Sequence, residues 1–259
     1  MKTNYHTHHY LCGHATGNVF DYVLEAINHN FEEIGISDHG PIIADAFKRM
    51  TLNEFNDIYL KQIDEAINLY GHKIKIYKGL EIEYISCDIN HYRRLLEKVD
   101  YLILGCHYYM DSLVLHGYSS YTIDTHEKLE SYTSLIENAL DSGLFKILAH
   151  PDMFMYSYKT FDSFSILCTK RIIEAAKRND VLLEFNAGGV RTSQHLNELN
   201  QVVYTIPDDN FWKLVSESGA KVIIGSDCHK PSELADEAFI KAHELAKSYN
   251  LNTVKKIFE

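Results

Sequence analysis

Thr3-Asn4-Tyr5-His6-Thr7-His8 opens the chain as a short strand-like run that closes on two imidazoles one residue apart. In an extended strand, residues i and i+2 project from the same face, so the two rings converge on one point. The spacing returns near the other end, where Lys221-Val222-Ile223-Ile224 runs into Gly225-Ser226-Asp227-Cys228-His229. Between these two segments, further apolar, β-branched runs end in similar fashion. Residues 33–37 lead into Asp38-His39, residues 74–82 contain Glu81 and are followed by Glu83, residues 101–106 lead to His107, and residues 146–149 lead to His150. Residues 181–185 lead to Asn186, Gly188, Gly189 and Arg191.

Segments with helical periodicity lie between these runs, at 19–29, 53–70, 89–99, 126–141, 164–178, 209–218 and 231–249. Asn53 is a plausible N-cap, and Pro231 suits a first helical turn. Strands that alternate with helices imply an α/β protein, with a parallel sheet and helices outside it. Seven such units suggest a closed or nearly closed barrel, with a doubly wound open sheet as the other architecture of this pattern. The chain has no repeat, no low-complexity tract and only four prolines, so residues 1–259 read as a single domain. No glycine-rich dinucleotide loop or P-loop follows a strand.

Composition narrows the function classes. Twenty-five Lys and Arg face 36 Asp and Glu, a formal net charge of −11, and no basic stripe interrupts it. Nucleic acid is a disfavoured partner for such a surface. No stretch approaches the roughly 20 apolar residues of a membrane span, and the N-terminus lacks a signal peptide's apolar core, so no membrane partner and a cytoplasmic location are expected. The five cysteines are irregularly spaced without a C-x-x-C pair, which points to buried reduced thiols. The unusual number is 15 histidines.

A single histidine at a strand end is usually solvated or hydrogen bonded, and a single H-x-H motif is weak evidence for a metal. The set is stronger. His6, His8, His14, His39, Glu81, His107, His150, Asp227 and His229 all fall at or just beyond predicted strand ends, or on a strand in the case of Glu81. In barrel enzymes these C-terminal ends form one mouth. Imidazole and carboxylate suit zinc, iron and manganese, and nine donors exceed the needs of one ion.

At this point the sequence resembles the polymerase-and-histidinol-phosphatase (PHP) superfamily. The matching motifs are His6-Thr7-His8, Ser37-Asp38-His39, Gly79-Leu80-Glu81, His107, Ala149-His150-Pro151 and Gly225-Ser226-Asp227-Cys228-His229. The resemblance implies a distorted (β/α)7 barrel, TIM-like, with a trinuclear site of divalent ions. By position, His6, His8, Glu81 and Asp227 would hold the first ion, Glu81, His107 and His150 the second, and His14, His39 and His229 the third. The metals could be zinc, iron or manganese. Length and the segment 186–191 are similar to the stand-alone histidinol-phosphate phosphatases, which implies hydrolysis of L-histidinol phosphate in histidine biosynthesis. Phosphotyrosine or a nucleotide phosphate is the alternative substrate. An amidohydrolase-like deaminase or peptidase and a non-catalytic module are further readings, and the ligand set fits them less well.

The mechanism then expected is attack on phosphorus by hydroxide held between two ions. Glu81 and Asp227 would serve catalysis as well as binding, and Asp38 or a metal-bound water would be the general acid. Arg191 is the first choice for a bidentate phosphate contact, with Lys159 a weaker one. Glu83 or Asp45 could hold a substrate amine. Tyr5, Tyr84, Tyr108 and Tyr109 could wall the pocket. The partner is thus a small-molecule phosphate monoester, and the oligomeric state is not legible.

Overall fold

The computed structural model describes residues 2–42, 49–84, 89–110 and 117–258. All seven expected strands are present: β1 Lys2–Asn4, β2 Phe31–Ile36, β3 Lys75–Ile82, β4 Tyr101–Leu104, β5 Ile147–Leu148, β6 Leu182–Asn186 and β7 Lys221–Gly225. They pair in chain order, and every pairing is parallel. An eighth strand, β8 Asn252–Thr253, adds to β7 beside Lys221 and Val222. It is two exposed residues long, too short to show alternation in sequence.

The sheet curls until its ends meet. Past the end of β1, Thr7 bridges Cys228 in parallel fashion. The His8 N–H donates to the Cys228 carbonyl at 3.0 Å, and the Asp227 N–H to the His6 carbonyl at 3.0 Å. At the opposite end β8 wedges into the seam, and the Thr3 hydroxyl donates to the Lys255 carbonyl. The seam is thus closed directly at the top and through an inserted segment at the bottom. This makes the structure the distorted (β/α)7 barrel that the resemblance implies.

Two apolar layers support it. One lies between strands and helices. The other fills the barrel with Tyr5, Tyr101, Ile103, Ile147, Leu182 and Ile223, and Ile257 and Phe258 pack against it. Tyr101 fits because its neighbours lack side chains: a Cβ on Gly79 would stand 2.3 Å from its ring. Tyr5 belongs to this plug, with its hydroxyl on Glu33, and so does not wall a pocket at the mouth. Tyr84 packs against Tyr92 and Phe145 in the outer layer.

The helices follow the periodicity, with two revisions. The second one is capped by Thr51 and Glu54 rather than Asn53, passes through a π turn at Phe55–Tyr59, and becomes regular at Leu60–Tyr70. The segment 231–249 divides into a 3-10 turn, Pro231–Glu233, and a helix, Glu237–Ser248, because the Asp236 side chain caps the Phe239 N–H and starts a new helix. Additional elements include the helix Ala187–Thr192, the hairpins Tyr108–Met110/Gly117–Ser119 and Gln194–Leu196/Val202–Tyr204, and 3-10 turns at Tyr10–Cys12, Ser120–Thr122 and Met153–Tyr156. Cys12, Cys106, Cys168 and Cys228 are buried and free, as expected, and Cys87 lies outside the described residues. Among the described residues no helix is long and apolar enough to cross a membrane.

Candidate metal centre

The barrel closure sets His6 and His8 beside Asp227. Because Thr7 is held in the bridge to Cys228, its two neighbours project together, and their Nε2 atoms lie 3.0 Å apart. Asp227 Oδ1 is 3.1 Å from His8 Nε2 and 3.6 Å from His6 Nε2. Glu81 stands at the centre. Its Oε1 is 3.2 Å from His150 Nε2, 3.6 Å from His6 Nε2 and 3.7 Å from His107 Nε2. Its Oε2 is 2.8 Å from His39 Nδ1 and 3.4 Å from His8 Nε2. On the outer side His14 and His229 meet with their Nε2 atoms 3.0 Å apart. Among the described residues four groups of side chains are close enough to share an ion: His6, His8 and Glu81; Glu81, His107 and His150; His14, His39 and His229; and His8, Cys12 and His229, which overlaps the first and third.

The rings face one another in a way that calls for a cation. His14 Nδ1 lies 3.1 Å from the Cys12 carbonyl and His229 Nδ1 lies 3.2 Å from the Asp227 carbonyl. A carbonyl only accepts, so each Nδ1 carries the proton, and in neutral rings both Nε2 atoms present bare lone pairs to each other. A shared proton does not relieve this near neutral pH. Burial and the charge of His8 hold His14 low, and the same causes hold His229 at about 4. His6 and His8 repeat the arrangement, with their Nδ1 atoms 2.7 Å from Glu184 and 3.3 Å from Asp38. Here burial opposes the protonated form, but Glu184, Asp227 and Glu81 outweigh it for His6, and Asp227 and Asp38 raise His8 to about 9. The inner pair thus sits where positive charge is strongly favoured. Burial works against ionising Glu81 and Asp227 too, and the surrounding histidines overcome it and hold both low. An outer pair of neutral imidazoles with facing lone pairs, and an inner pair held among ionised carboxylates where positive charge is favoured, together fit divalent ions.

Three strand ends reach this centre through left-handed backbone: Cys106 at φ 51°, His150 at 31° and Asp227 at 47°. Such conformations cost about 1 kcal/mol or more each outside glycine and cluster at functional sites. Gly225 has a different reason. A Cβ there would stand 1.7 Å from Glu184 Oε1, so the carboxylate passes where the side chain would be.

Several expected roles change. Asp38 is fully buried behind His8, with its oxygens 3.3 Å from His8 Nδ1, 2.6 Å from His9 Nδ1 and 2.7 Å from the His39 N–H. It orients ligands, and it lacks the exposed, protonated face that a general acid needs. Glu83 is buried and engaged by His107, at 2.6 Å from Nδ1 and 3.1 Å from the backbone N–H, so it does not await a substrate amine. Arg191 points away from the mouth. It forms a bidentate pair with Asp236 at 2.7 and 3.1 Å and also donates to the carbonyls of Ser226 and Glu233. The short helix Ala187–Thr192 carries it there. Lys159 is exposed on the loop before helix Ser163–Arg178, and no contact with the cluster is found among the described residues. Asp45 lies outside the described residues.

Four residues gain importance. Glu184 is fully buried; besides His6 it accepts the His150 N–H at 3.2 Å and Asn186 Nδ2 at 2.8 Å. Asn186 also donates to Asp227 Oδ2 at 3.1 Å. His9 is buried against Asp38 rather than at the surface. Arg49, half-buried on the stretch leading from β2 into the next helix, sets its positive charge against His14, His39 and His107. Its sign and its place after a strand end were visible in the sequence. The burial of Glu184 was not.

Comparison with known proteins places this geometry in a family. The model of the PHP domain matches residues 4–188, well over half of the 259 residues, so the chain belongs to that family. A Deinococcus radiodurans protein named "Probable histidinol-phosphatase" is 25% identical over 244 residues, covering 88% of this chain and 86% of that protein. A Caldanaerobacter subterraneus protein named "Probable phosphatase" is 26% identical over 226 residues, covering 86% of this chain and 74% of that protein. Among solved structures, histidinol phosphate phosphatase from Lactococcus lactis, complexed with zinc, L-histidinol and phosphate, superposes with a TM-score of 0.68. It covers 98% of this chain and 95% of its own at 18% identity, a likeness of fold.

Two substitutions test this assignment of positions. Arg191→Ala removes a partly buried ion pair and two carbonyl contacts, and is expected to destabilise the fold by about 2–4 kcal/mol in urea unfolding. Its metal content should stay intact; unchanged stability with weakened phosphate affinity would return Arg191 to the mouth. Glu184→Gln is expected to lower metal affinity roughly 10- to 100-fold by releasing the His6 tautomer. Titration with a divalent ion and a competing chelator measures this, and wild-type affinity would refute the orienting role.

Proposed function

We propose that this protein is a metal-dependent phosphomonoesterase with three divalent ions, and that its substrate is L-histidinol phosphate. The observation that carries the first part is the pair of facing imidazole couples joined through Glu81, a donor array for several cations in one mouth. The substrate assignment rests on the relatives, two of which bear the name of histidinol phosphatase.

His6, His8, Glu81 and Asp227 would hold the first ion, Glu81, His107 and His150 the second, and His14, His39 and His229 the third. Bound there, zinc, iron or manganese would supply an acidified water and positive charge for the phosphoryl oxygens. The protein's own groups do the rest. Glu81 directs one oxygen toward His150, His6 and His107 and the other toward His8 and His39, so it would serve two ion positions at once. Asp227 Oδ1 is placed to accept the proton of an attacking water, with Oδ2 held by Asn186. Asp38, Glu83 and Glu184 keep His8, His107 and His6 in the tautomer that leaves Nε2 bare. Arg49 takes the role first expected of Arg191, a guanidinium facing the phosphate from the His14 and His39 side.

The test is phosphate release by protein stripped with a chelator and reloaded with manganese, iron(II) or zinc. The substrates are histidinol phosphate, phosphotyrosine and nucleoside monophosphates. Metal-dependent turnover is expected, fastest on histidinol phosphate, and Glu81→Ala should lose bound metal and roughly 10³-fold or more of turnover. Metal-loaded protein that releases phosphate from none of these esters would refute the activity, and preference for another ester would refute the substrate. Arg49→Ala is expected to keep its metals and to raise both KM and the inhibition constant of inorganic phosphate roughly 10- to 100-fold, the loss of a charged hydrogen bond. Inhibition by phosphate at the wild-type level would exclude Arg49 from the site.

A further inference from the structure

Two tyrosines at the mouth are not used by the metal cluster. Tyr121 belongs to the 3-10 turn Ser120–Thr122, and Tyr156 closes the 3-10 turn Met153–Tyr156. Both turns are tied to residues that face the centre. The Ser120 N–H donates to the His107 carbonyl at 2.8 Å, and its hydroxyl donates to the Cys106 carbonyl at 2.7 Å. The Met153 N–H donates to the His150 carbonyl at 3.0 Å. The turns are also tied to each other, by the Ser157 hydroxyl on the Tyr121 carbonyl.

The rings therefore meet beside the His107 and His150 side of the cluster, with centroids 5.1 Å apart and planes tilted by 52°. Tyr156 is the inner, half-buried ring. Tyr121 packs one side of its ring on Tyr156 and leaves 51% of its surface in water. Burial and Tyr156, with smaller contributions from Asp227 and Glu81, push its hydroxyl up to about 12, so it stays neutral. A rigid, half-covered aromatic face beside a polar reaction centre is a common way to receive the organic part of a ligand. Aromatic rings add edge and offset-stacking attraction to simple burial, so such a face favours a planar ring over an aliphatic one.

We propose that Tyr121, backed by Tyr156, is the specificity wall for the alcohol part of the substrate and selects monoesters that carry a planar ring next to the ester. This rests on the phosphomonoesterase reading. The phosphoryl group would sit over the cluster with Arg49 on the His14 side, and the alcohol would extend across to the aromatic pair on the opposite side.

Benzyl phosphate and cyclohexylmethyl phosphate test it on the metal-loaded full chain. Both are esters of primary alcohols of similar size, so the ratio of their kcat/KM values reports ring recognition more than leaving-group chemistry. Wild type is expected to favour benzyl phosphate about three- to tenfold. Tyr121→Leu should bring the ratio close to one, mainly through KM, and Tyr121→Phe should retain it. Competition of benzylphosphonate against cyclohexylmethylphosphonate on wild type gives the same comparison without a variant. Turnover of both esters without a preference, or a preference that survives in Tyr121→Leu, would overturn the wall and leave the phosphomonoesterase reading standing. Release of phosphate from neither ester, nor from histidinol phosphate, would overturn both.

Discussion

The arrangement depends on the Glu81 carboxylate, a fully buried group surrounded by imidazoles. Five histidines from four strand ends lie within 3.7 Å of its two oxygens. Burial alone would drive such a carboxyl to its neutral form, and only nearby positive charge keeps it ionised. In the absence of metal the histidines supply that charge as protons. Bound cations would take over that role, with the protons released and the same carboxylate available to more than one ion. The barrel has to close for this to happen, because His6 and His8 come from the first strand and Asp227 from the last of the seven.

Behind the candidate ligands lies a ring of carboxylates. Asp38 stands behind His8, Glu83 behind His107 and Glu184 behind His6, each on the Nδ1 side. A metal-binding histidine is usually held in this way, and the partner fixes both tautomer and ring plane. The cost appears elsewhere in the fold. Glu184 requires a glycine at 225, and the plug around Tyr101 requires one at 79. The site is therefore a polar layer laid over a dry aromatic plug, and small residues let both layers fit inside a narrow barrel.

The sequence carried the strands and the inner ligands because both are local signals. Strands end where β-branched runs end, and a histidine at that point belongs to the mouth of any parallel barrel. The revised roles are those that depend on partners distant in sequence. Glu83 has the parity expected of a residue two after Glu81, yet His107, 24 residues away, takes both of its oxygens. Arg191 follows two glycines that by local propensity belong to a loop at the mouth. Glycines at 188 and 189 argue against a helix by propensity, but the Asn186 side chain caps the Gly189 N–H at 3.0 Å and the turn forms. That turn swings Arg191 onto Asp236, 45 residues on. Arg49 is not legible for the opposite reason: nothing local distinguishes one arginine after a strand from another.

Stability and function are coupled more tightly here than in a barrel with a surface site. Glu81, Asp38, Glu83 and Glu184 are all buried, and no lysine or arginine among the described residues pairs with them. Unpaired buried charge is costly, by several kcal/mol per group when its partner is removed. Histidine protons offset that cost only while the rings stay charged, and His14, His39 and His229 are held low by burial and by the charge of His8. The outer group therefore cannot offset it with protons at neutral pH. Divalent cations would satisfy both groups at once, and would then hold the top of the barrel together as well as serve the chemistry proposed there.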